Sequence, residues 1–399
     1  MAPLKRQFFF SFGVIGSVMP LMTVFLREQV GFEYLEIGFA MALMNVPMLC
    51  SPVILTLLAD RSVDARRILA IAFACSAVVL AGMAISTVVW ITLGLFLLHG
   101  LAFFAMLPLQ DAHYFRLAEK ERAAGSEVTD YPYVRVWGTV GFIVPSLLLF
   151  IPLANGASTQ SILPCAVGFA ILSLLNSFTL PPAPSANTKP NRLPTRLAFG
   201  ALFSPSARWL CIGLFIAFLG SSTYYAFIGN FMSEVAGVPN NWIGIIINIG
   251  VTLEIGFTLL MPWVQRKIRL KGILVLGLGY MALRMFVMAW FPIPAVVIIA
   301  QLGHGLEILA LYIGPIMFID RLASAEFRSS IQGVFMMTVG GLSKIFGGVL
   351  SGLVVTWSSL TGALMFGGAM ALAGALIVAF LFRQIPPRDE TAGNPIPSP

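Results

Sequence analysis

The chain has 399 residues, of which 58% are hydrophobic and only 10% charged, and its 32 Phe outnumber its 17 Asp and Glu together. A soluble domain of this size could not hydrate so much apolar surface, so the composition predicts an integral membrane protein. Of the 24 basic residues we assign three to membrane segments and one to an outer loop, which leaves 20 on one side. This side is predicted to be the cytoplasm, and the net charge of +7 therefore indicates no nucleic-acid partner.

Apolar runs of about 18 to 25 residues, each long enough to cross a bilayer as a helix, recur twelve times along the chain. We therefore expect an all-α membrane protein with twelve transmembrane helices, and with both termini in the cytoplasm. The predicted spans start near Gln7, Leu35, Ile68, Trp90, Val134, Ser161, Trp209, Trp242, Gly272, Pro294, Ser330 and Ser358.

A proline-rich basic segment divides these spans into six plus six, with five prolines between Pro181 and Pro194. Such a composition is typical of an extended linker. We predict an N-terminal six-helix bundle over residues 1–180, a cytoplasmic linker over 181–206, a C-terminal six-helix bundle over 207–385, and a disordered cytoplasmic tail over 386–399.

The two halves share three tripeptides in the same order. Their offsets are 202, 205 and 199 residues, and a nearly constant offset indicates an internally duplicated six-helix unit. The pairs are Thr56-Leu57-Leu58 with Thr258-Leu259-Leu260, His99-Gly100-Leu101 with His304-Gly305-Leu306, and Thr139-Val140-Gly141 with Thr338-Val339-Gly340.

Five ionisable side chains fall at predicted membrane depth, namely Arg135, Glu254, Arg284, Glu307 and Lys344. At roughly 2.5 to 3.5 kcal/mol each, unpaired charges at the bilayer centre would cost about 12 to 18 kcal/mol together. They must therefore be paired, hydrated or near an interface. Arg284 and Lys344 either neutralise Glu307 or extend outward to the interface, and the sequence leaves both alternatives open.

Glu254 is the most informative of the five, because it is the single charge in the apolar run from Trp242 to Val264. Arg135 belongs to the other half, so a contact between the two could form in one arrangement of the halves and break in another. Closing a cavity around Glu254 favours its protonated form, and an approaching Arg135 favours proton release. The alternative is a static ion pair that fixes helix packing.

Span 10 carries a second polar group. Gln301, His304 and Glu307 recur every third residue and share one helix face, so a polar stripe facing a cavity is expected. We predict that Glu307 joins Glu254 and Arg135 in proton coupling. His99 and His304 occupy matching positions in the two halves, where hydrogen bonding between helices is the simpler interpretation.

Further side chains in spans 1, 2, 7 and 8 offer hydrogen bonds and flat faces suited to a small cyclic solute. These residues are Thr23, Phe25, Asn45, Tyr224, Tyr225, Asn230 and Asn248. The four cysteines are scattered without metal or redox spacing, and no catalytic constellation or ATP motif is present, so we expect no enzyme, metal or cofactor. An ion gradient must then supply the energy.

Twelve helices in two repeats resemble the major facilitator superfamily, whose loop between spans 2 and 3 reads roughly G-x-x-x-D-R-x-G-R-R. Here the loop carries Asp60 and Arg61, while the first Gly is absent and the basic pair, Arg66 and Arg67, comes late. The resemblance implies that Asp60 and Arg61 pair across helix ends as a gate that is closed in one conformation only.

A finer resemblance is to the nucleoside:proton symporter branch, close to the lactose-permease-like and phenylpropionate-permease-like families. It rests on the block Tyr133 to Phe142, on Tyr224 to Phe227 with Asn230, on Glu254 followed by Leu259 to Pro262, and on Ala282 to Arg284. The resemblance implies that Arg135, Thr139, Phe142, Asn230 and Glu254 line a central cavity, and that the protein is a monomer.

The chain also departs from the branch. Phe227 and Val251 stand where its nucleoside carriers have amide side chains, and Ile308 and Leu309 stand where an aromatic-acidic pair is expected. A more apolar cavity is predicted, and the solute remains open among nucleoside, sugar and aromatic acid.

We predict a secondary active transporter of a bacterial inner membrane, which moves protons together with a small organic solute by alternating access. The alternative within transport is a proton-coupled exporter of drugs or metabolites that works by exchange. The alternative from another class is a non-transporting sensor or membrane enzyme, against which the lack of soluble domains and catalytic motifs argues.

Overall fold

A computed structural model of the chain describes residues 1–49, 64–182, 195–322 and 328–383. These residues form helices joined by short connections, and none of the described residues lies in a β-strand. A helix satisfies nearly all of its backbone hydrogen bonds internally, as hydrocarbon requires of a spanning segment. The predicted all-α fold is confirmed.

Six helices follow the predicted spans of the first half. They are α1 (Ala2–Val18, continued after a bend of 42° by Met22–Val30), α2 (Tyr34–Leu49), α3 (Ala65–Ile85), α4 (Val89–Ala123), α5 (Tyr131–Ala154) and α6 (Thr159–Ser177). The bend in α1 lies at Pro20, which cannot donate a backbone hydrogen bond to the helix.

The second half repeats this plan after a short helix, Thr195–Leu202, in the predicted linker. Its helices are α7 (Arg208–Val235), α8 (Asn240–Lys267), α9 (Leu270–Trp290), α10 (Pro294–Ile299 and, after a turn, His304–Ile319), α11 (Arg328–Phe335, continued by Met336–Gly341 and Leu342–Trp357) and α12 (Leu360–Phe380).

Eight helices within the described ranges are long and apolar enough to cross a membrane, and the bent α1 counts as a ninth. The helices at predicted spans 2, 4 and 10 are shorter as apolar segments, covering Tyr34–Leu49, Val89–Ala102 and His304–Ile319. Two of these segments are shortened by identifiable features. Helix α4 continues into a polar stretch, and α10 is interrupted by a turn after Ile299.

One local backbone feature recurs in both halves of the chain. Helix α1 ends in a π-helical turn, Leu26–Val30, followed by Gly31 at φ 80°, and α7 ends in a π-helical turn, Phe231–Val235, shortly before Gly237 at φ 66°. Glycine adopts this left-handed conformation without steric cost. The two turns begin 205 residues apart, within the range of the tripeptide offsets, as duplication of a six-helix unit predicts.

Small residues bring the two halves into close contact. A Cβ atom on Gly352 of α11 would lie 2.9 Å from the carbonyl oxygen of Tyr34 in α2, so the two backbones are adjacent. A Cβ on Gly244 of α8 would lie 2.6 Å from the Ser146 hydroxyl of α5. Helices in a membrane associate through such close packing, because lipid provides no hydrophobic force between them.

Polar contacts also join the halves at one end of the bundle, the end that the distribution of basic residues predicts to be outer. The Tyr34 hydroxyl donates a hydrogen bond to Glu234. The Asn240 amide donates to Glu28 at 3.1 Å, and Glu28 also accepts from the Thr159 hydroxyl at 3.0 Å. We call these five residues the outer contacts.

At the other end, Asp64 caps the start of α3 by accepting a hydrogen bond from the Arg66 backbone N–H at 3.0 Å. The Arg66 side chain hydrogen-bonds the same carboxylate and thereby lowers the pKa of Asp64. Arg66 also donates to the carbonyl oxygen of Leu180 at 3.1 Å, which ties α3 to the end of the first half. The predicted gate residues Asp60 and Arg61 lie outside the described residues, as does the predicted tail 386–399.

Candidate functional site

A cavity of about 410 Å³ lies between the two halves. Pockets that bind small organic molecules usually measure about 300 to 1,000 Å³. Helices α1, α2, α4 and α5 of the first half and α7, α8, α10 and α11 of the second contribute to its wall. The cavity is therefore large enough for a solute of one or two rings, and it changes shape if the halves move relative to each other.

Most of the site residues predicted from the sequence meet in this wall. Arg135, Thr139 and Phe142 lie at intervals of four and three residues on α5, so they share one face of the helix. The members of the predicted substrate site that line the cavity are Arg135, Thr139, Phe142, Tyr224, Tyr225 and Glu254.

Asn230 is the member of the predicted substrate site that does not line the cavity, and Phe25 and Asn248, also expected there, lie outside its wall as well. Asn230 is fully buried, and its amide donates to the carbonyl oxygen of Thr23 at 3.3 Å and to Glu234 at 3.0 Å. Of these two partners, Glu234 is one of the outer contacts. In this conformation Asn230 thus helps to hold the halves together on the outer side of the cavity. Its partner Thr23 is part of the cavity wall.

Glu254 lies in the wall on α8 and is half-buried. Among the described residues it forms no ion pair and no hydrogen bond. Its carboxylate is attracted by Arg135 and repelled by Glu307, so both lie within electrostatic range. A carboxylate beside a polar cavity, with a cation nearby but not bound to it, can gain and lose a proton as the distance to that cation changes.

Arg135 faces Glu254 from the first half, but its guanidinium is held by other groups. Its Cζ atom lies 4.2 Å from the ring centroid of Phe12 and 5.6 Å from that of Phe8, both on α1. Asp111 also attracts it electrostatically, and accepts a hydrogen bond from the Tyr131 hydroxyl at 2.7 Å. These contacts keep the cation on its own half of the protein.

The second carboxylate, Glu307, lies behind the cavity wall and is fully buried. It forms an ion pair with Arg284 of α9 and accepts a hydrogen bond from the Ser221 hydroxyl at 3.3 Å. The Arg284 guanidinium lies 3.9 Å from the ring centroid of Tyr224. Arg284, and not Lys344, therefore neutralises Glu307.

The stripe predicted on α10 is present, and the residues of the stripe have different roles. Gln301 and His304 line the cavity, whereas Glu307 does not. Gln301 accepts a hydrogen bond from the Tyr224 hydroxyl at 2.9 Å, and His304 Nδ1 lies 3.3 Å from Arg284 Nη1. The buried ion pair is thus connected to the cavity surface through polar side chains of α7 and α10.

Some contributors could not be found from the sequence. Ser221 and Asp111 carry no pattern that distinguishes them from other polar residues in or near spans. The sequence does not decide between Glu307 and the membrane interface for Lys344, and the structure places it in the cavity wall. Val251 also lines the wall, as expected for a cavity more apolar than that of the branch, while Phe227 is buried and packs against the Tyr34 ring at 6.2 Å between centroids.

Comparison with known proteins gives a consistent result. A family model described as "MFS_1 like family" matches residues 1–366. The chain is 25% identical to nucleoside permease NupG of Escherichia coli (strain K12) over 408 residues, covering 96% of each chain. It is 24% identical to xanthosine permease of the same organism over 407 residues, again covering 96% of each.

Solved structures show the same architecture. The crystal structure of nucleoside transporter NupG superimposes with a TM-score of 0.83 at 22% identity, covering 96% of this chain and 98% of that one. A POT family transporter in complex with a thioalcohol conjugated peptide gives a TM-score of 0.74 at 12% identity, covering 95% of each chain. The chain belongs to the MFS_1 like family, and it is a multi-pass membrane transporter of the major facilitator type rather than an enzyme.

Proposed function

We propose that the protein is a proton-coupled symporter of a small ring-containing solute of the nucleoside type, working by alternating access in a bacterial inner membrane. Its transport unit is a monomer of two six-helix bundles, 1–180 and 207–385, with twelve crossings and both termini in the cytoplasm. The observation that carries the proposal is the position of Glu254 and Arg135 on opposite sides of one cavity between the halves, within electrostatic range but not paired.

Proton coupling follows from that arrangement. When the halves bring Arg135 towards Glu254, the positive charge favours the ionised carboxylate and the proton leaves. When they separate the pair around a closed cavity, the carboxylate is desolvated without a counter-charge and takes up a proton. Arg135 is held by an aromatic ring of α1, which belongs to the same half of the protein. The position of the Arg135 guanidinium therefore depends on the first half alone.

Glu307 has a supporting role in this proposal. Its charge repels that of Glu254, and Arg284 compensates it. Weakening the Arg284 contact would strengthen the repulsion and favour a proton on either carboxylate. Because Tyr224 and His304 both contact Arg284 and line the cavity, a bound solute can influence the buried pair.

Solute recognition is assigned to the remaining wall residues. Phe142, Tyr224 and Tyr225 offer flat faces for a ring, and Thr139 offers a hydroxyl group. Nucleoside and xanthosine permeases among the relatives make nucleosides the first solutes to examine. Asp60 and Arg61 remain the proposed inner gate.

The test is proton movement in proteoliposomes that contain the purified protein and no pH gradient. Adding a transported nucleoside outside is expected to alkalinise the external medium, because protons enter with the solute. Acidification outside would contradict symport and indicate exchange. Solute uptake without any proton movement would contradict proton coupling altogether, and liposomes without protein provide the control.

A further inference from the structure

Lys344 of α11 is a half-buried cation in the cavity wall that neither the ion pair nor the proposed coupling uses. Its ammonium group lies 5.3 Å from the ring centroid of Tyr312 and 5.8 Å from that of Phe218. These two rings pack edge to face with centroids 5.5 Å apart. The lysine is thus directed by a fixed aromatic corner rather than extended towards a membrane interface.

No carboxylate within the described residues pairs with Lys344. Glu307 is bound by Arg284, and Glu254 faces Arg135 from α8. Among the residues that the structure describes, the charged side chains that line the cavity are therefore two cations, Arg135 and Lys344, and one carboxylate, Glu254. With neutral histidines the wall carries one excess positive charge whenever Glu254 is ionised, and two when it is protonated.

An excess cation in a partly dehydrated wall is costly unless something compensates it. Aromatic faces supply part of that compensation through cation–π attraction. An anionic group on the solute would supply the remainder. The same rings that direct the ammonium group also provide a flat apolar surface for the ring system of such a solute.

We propose that Lys344 is a specificity residue that binds an anionic group on the transported solute, so that the protein prefers a ring-containing anion over its neutral counterpart. This inference rests on the proposed transport function. Two sources could supply the same chemistry, namely a nucleoside whose base loses a ring proton near neutral pH, such as xanthosine, and an aromatic carboxylate.

The coupling arrangement fits such a solute. A monoanion that enters with one proton on Glu254 meets Arg135 and Lys344 without an opposing carboxylate. When Glu254 ionises, it competes with the solute for the same cations. Release of the proton and release of the anion are therefore linked through charges already in the wall.

The experiment measures binding to the purified protein by ligand-induced thermal stabilisation or calorimetry with two matched pairs of probes. One pair is xanthosine and inosine, and the other is 3-phenylpropionate and its neutral amide. The amide has nearly the same shape as the carboxylate, whereas inosine also lacks the C2 carbonyl oxygen of xanthosine. The Lys344→Met variant therefore separates the effect of charge from the effect of that missing group.

We expect the unmodified protein to bind the anion of at least one pair more tightly than the neutral partner. Lys344→Met should weaken binding of that anion roughly ten- to a hundredfold, the usual range for a lost hydrogen bond to a charged group. Its effect on the neutral partner should be small, and Lys344→Arg should retain much of the preference. The pair that shows the preference identifies the source of the anion.

Equal affinity for both members of each pair, or a preference that Lys344→Met leaves intact, would overturn the inference. So would binding of neither anion. In each case proton-driven uptake of a neutral nucleoside, measured separately, would leave the proposed symport standing. A Lys344→Met protein that no longer folds is recognised by its unfolding profile, and the probe pairs on the unmodified protein still decide the charge preference.

Discussion

The buried Arg284–Glu307 pair allows a quantitative prediction of stability. Arg284 is 2% exposed and Glu307 is 0% exposed. Replacing Arg284 with Met leaves the Glu307 carboxylate with two hydroxyl groups of α7, that of Ser221 at 3.3 Å and that of Tyr225. Removing one partner of a buried ion pair usually costs about 3 to 5 kcal/mol, because the other charge stays desolvated. Proton uptake by Glu307 would reduce that cost.

Replacing both residues with Met removes the uncompensated charge. Since apolar groups of similar volume often match or exceed a buried pair, the double variant should recover most of the lost stability. Equilibrium unfolding by denaturant in detergent micelles measures these differences as shifts of the midpoint. Arg27→Met is the control, because the Arg27–Glu33 pair is 33% and 73% exposed and should contribute less than about 1 kcal/mol. This variant also removes the hydrogen bond from Arg27 to the Phe32 carbonyl oxygen at 2.9 Å, so its total loss should stay below about 2 kcal/mol.

Two outcomes would refute this reasoning. One is an Arg284→Met protein that unfolds within about 1 kcal/mol of the unmodified protein, in the range of an exposed pair. The other is a double variant that is no more stable than the single variant, which would mean that the loss comes from packing of the arginine stem and not from an unpaired Glu307.

Two further predictions concern the framework. Hydrogen bonding to Arg66 lowers the pKa of Asp64 from 3.8, so the contribution of this carboxylate to stability is fully present above pH 4 and is lost as the pH falls through the lowered pKa. Asp64→Asn retains a capping oxygen but cannot titrate, and it should remove this acid dependence when unfolding is measured at a series of pH values. An unchanged dependence would contradict the assignment. Gly352→Ala places a Cβ atom 2.9 Å from the Tyr34 carbonyl oxygen and should lower the free energy of unfolding by roughly 1 to 3 kcal/mol. Gly256→Ala is the control and should be nearly neutral, because no atom lies within 4 Å of its Cβ position. Equal effects of the two variants would refute the close approach of α2 and α11.

The fold was largely predictable because hydrocarbon imposes a simple rule on sequence. A spanning helix needs about 20 apolar residues, and runs of this length can be recognised in the sequence without knowledge of tertiary contacts. The rule is weakest where a helix is broken or continues into polar sequence. The break after Ile299 in α10 and the polar continuation of α4 beyond Ala102 shorten the apolar segments there, although both elements lie where the sequence places them.

The site was predictable to the extent that charge at membrane depth is rare. That criterion selects Glu254 and Arg135 together with Arg284, Glu307 and Lys344, and the resemblance adds Thr139 and Phe142 on the same face of α5 as Arg135. Pairing could not be predicted, because it depends on which helix faces which. Arg284 and Lys344 were equivalent candidates to neutralise Glu307, and only the packing of α9 against α10 selects Arg284.

Asn230 shows where prediction of the site from sequence fails. A polar residue in an apolar helix is a reasonable cavity candidate, but a buried amide can equally satisfy a backbone carbonyl. Here the amide donates to the carbonyl oxygen of Thr23 on α1 and to Glu234, which lies four residues further along the chain on the same helix face. The contact with solute that the sequence predicts for Asn230 therefore requires a conformation in which the outer contacts are open.

The central claim is that Glu254 exchanges a proton as the halves move, and it is tested most directly by comparing two modes of transport by Glu254→Gln in proteoliposomes. Glutamine keeps the size and hydrogen bonding of the protonated acid but cannot release a proton. We predict that this variant still exchanges labelled for unlabelled solute across the membrane, yet fails to accumulate solute when a pH gradient is imposed. Accumulation equal to that of the unmodified protein would contradict the account.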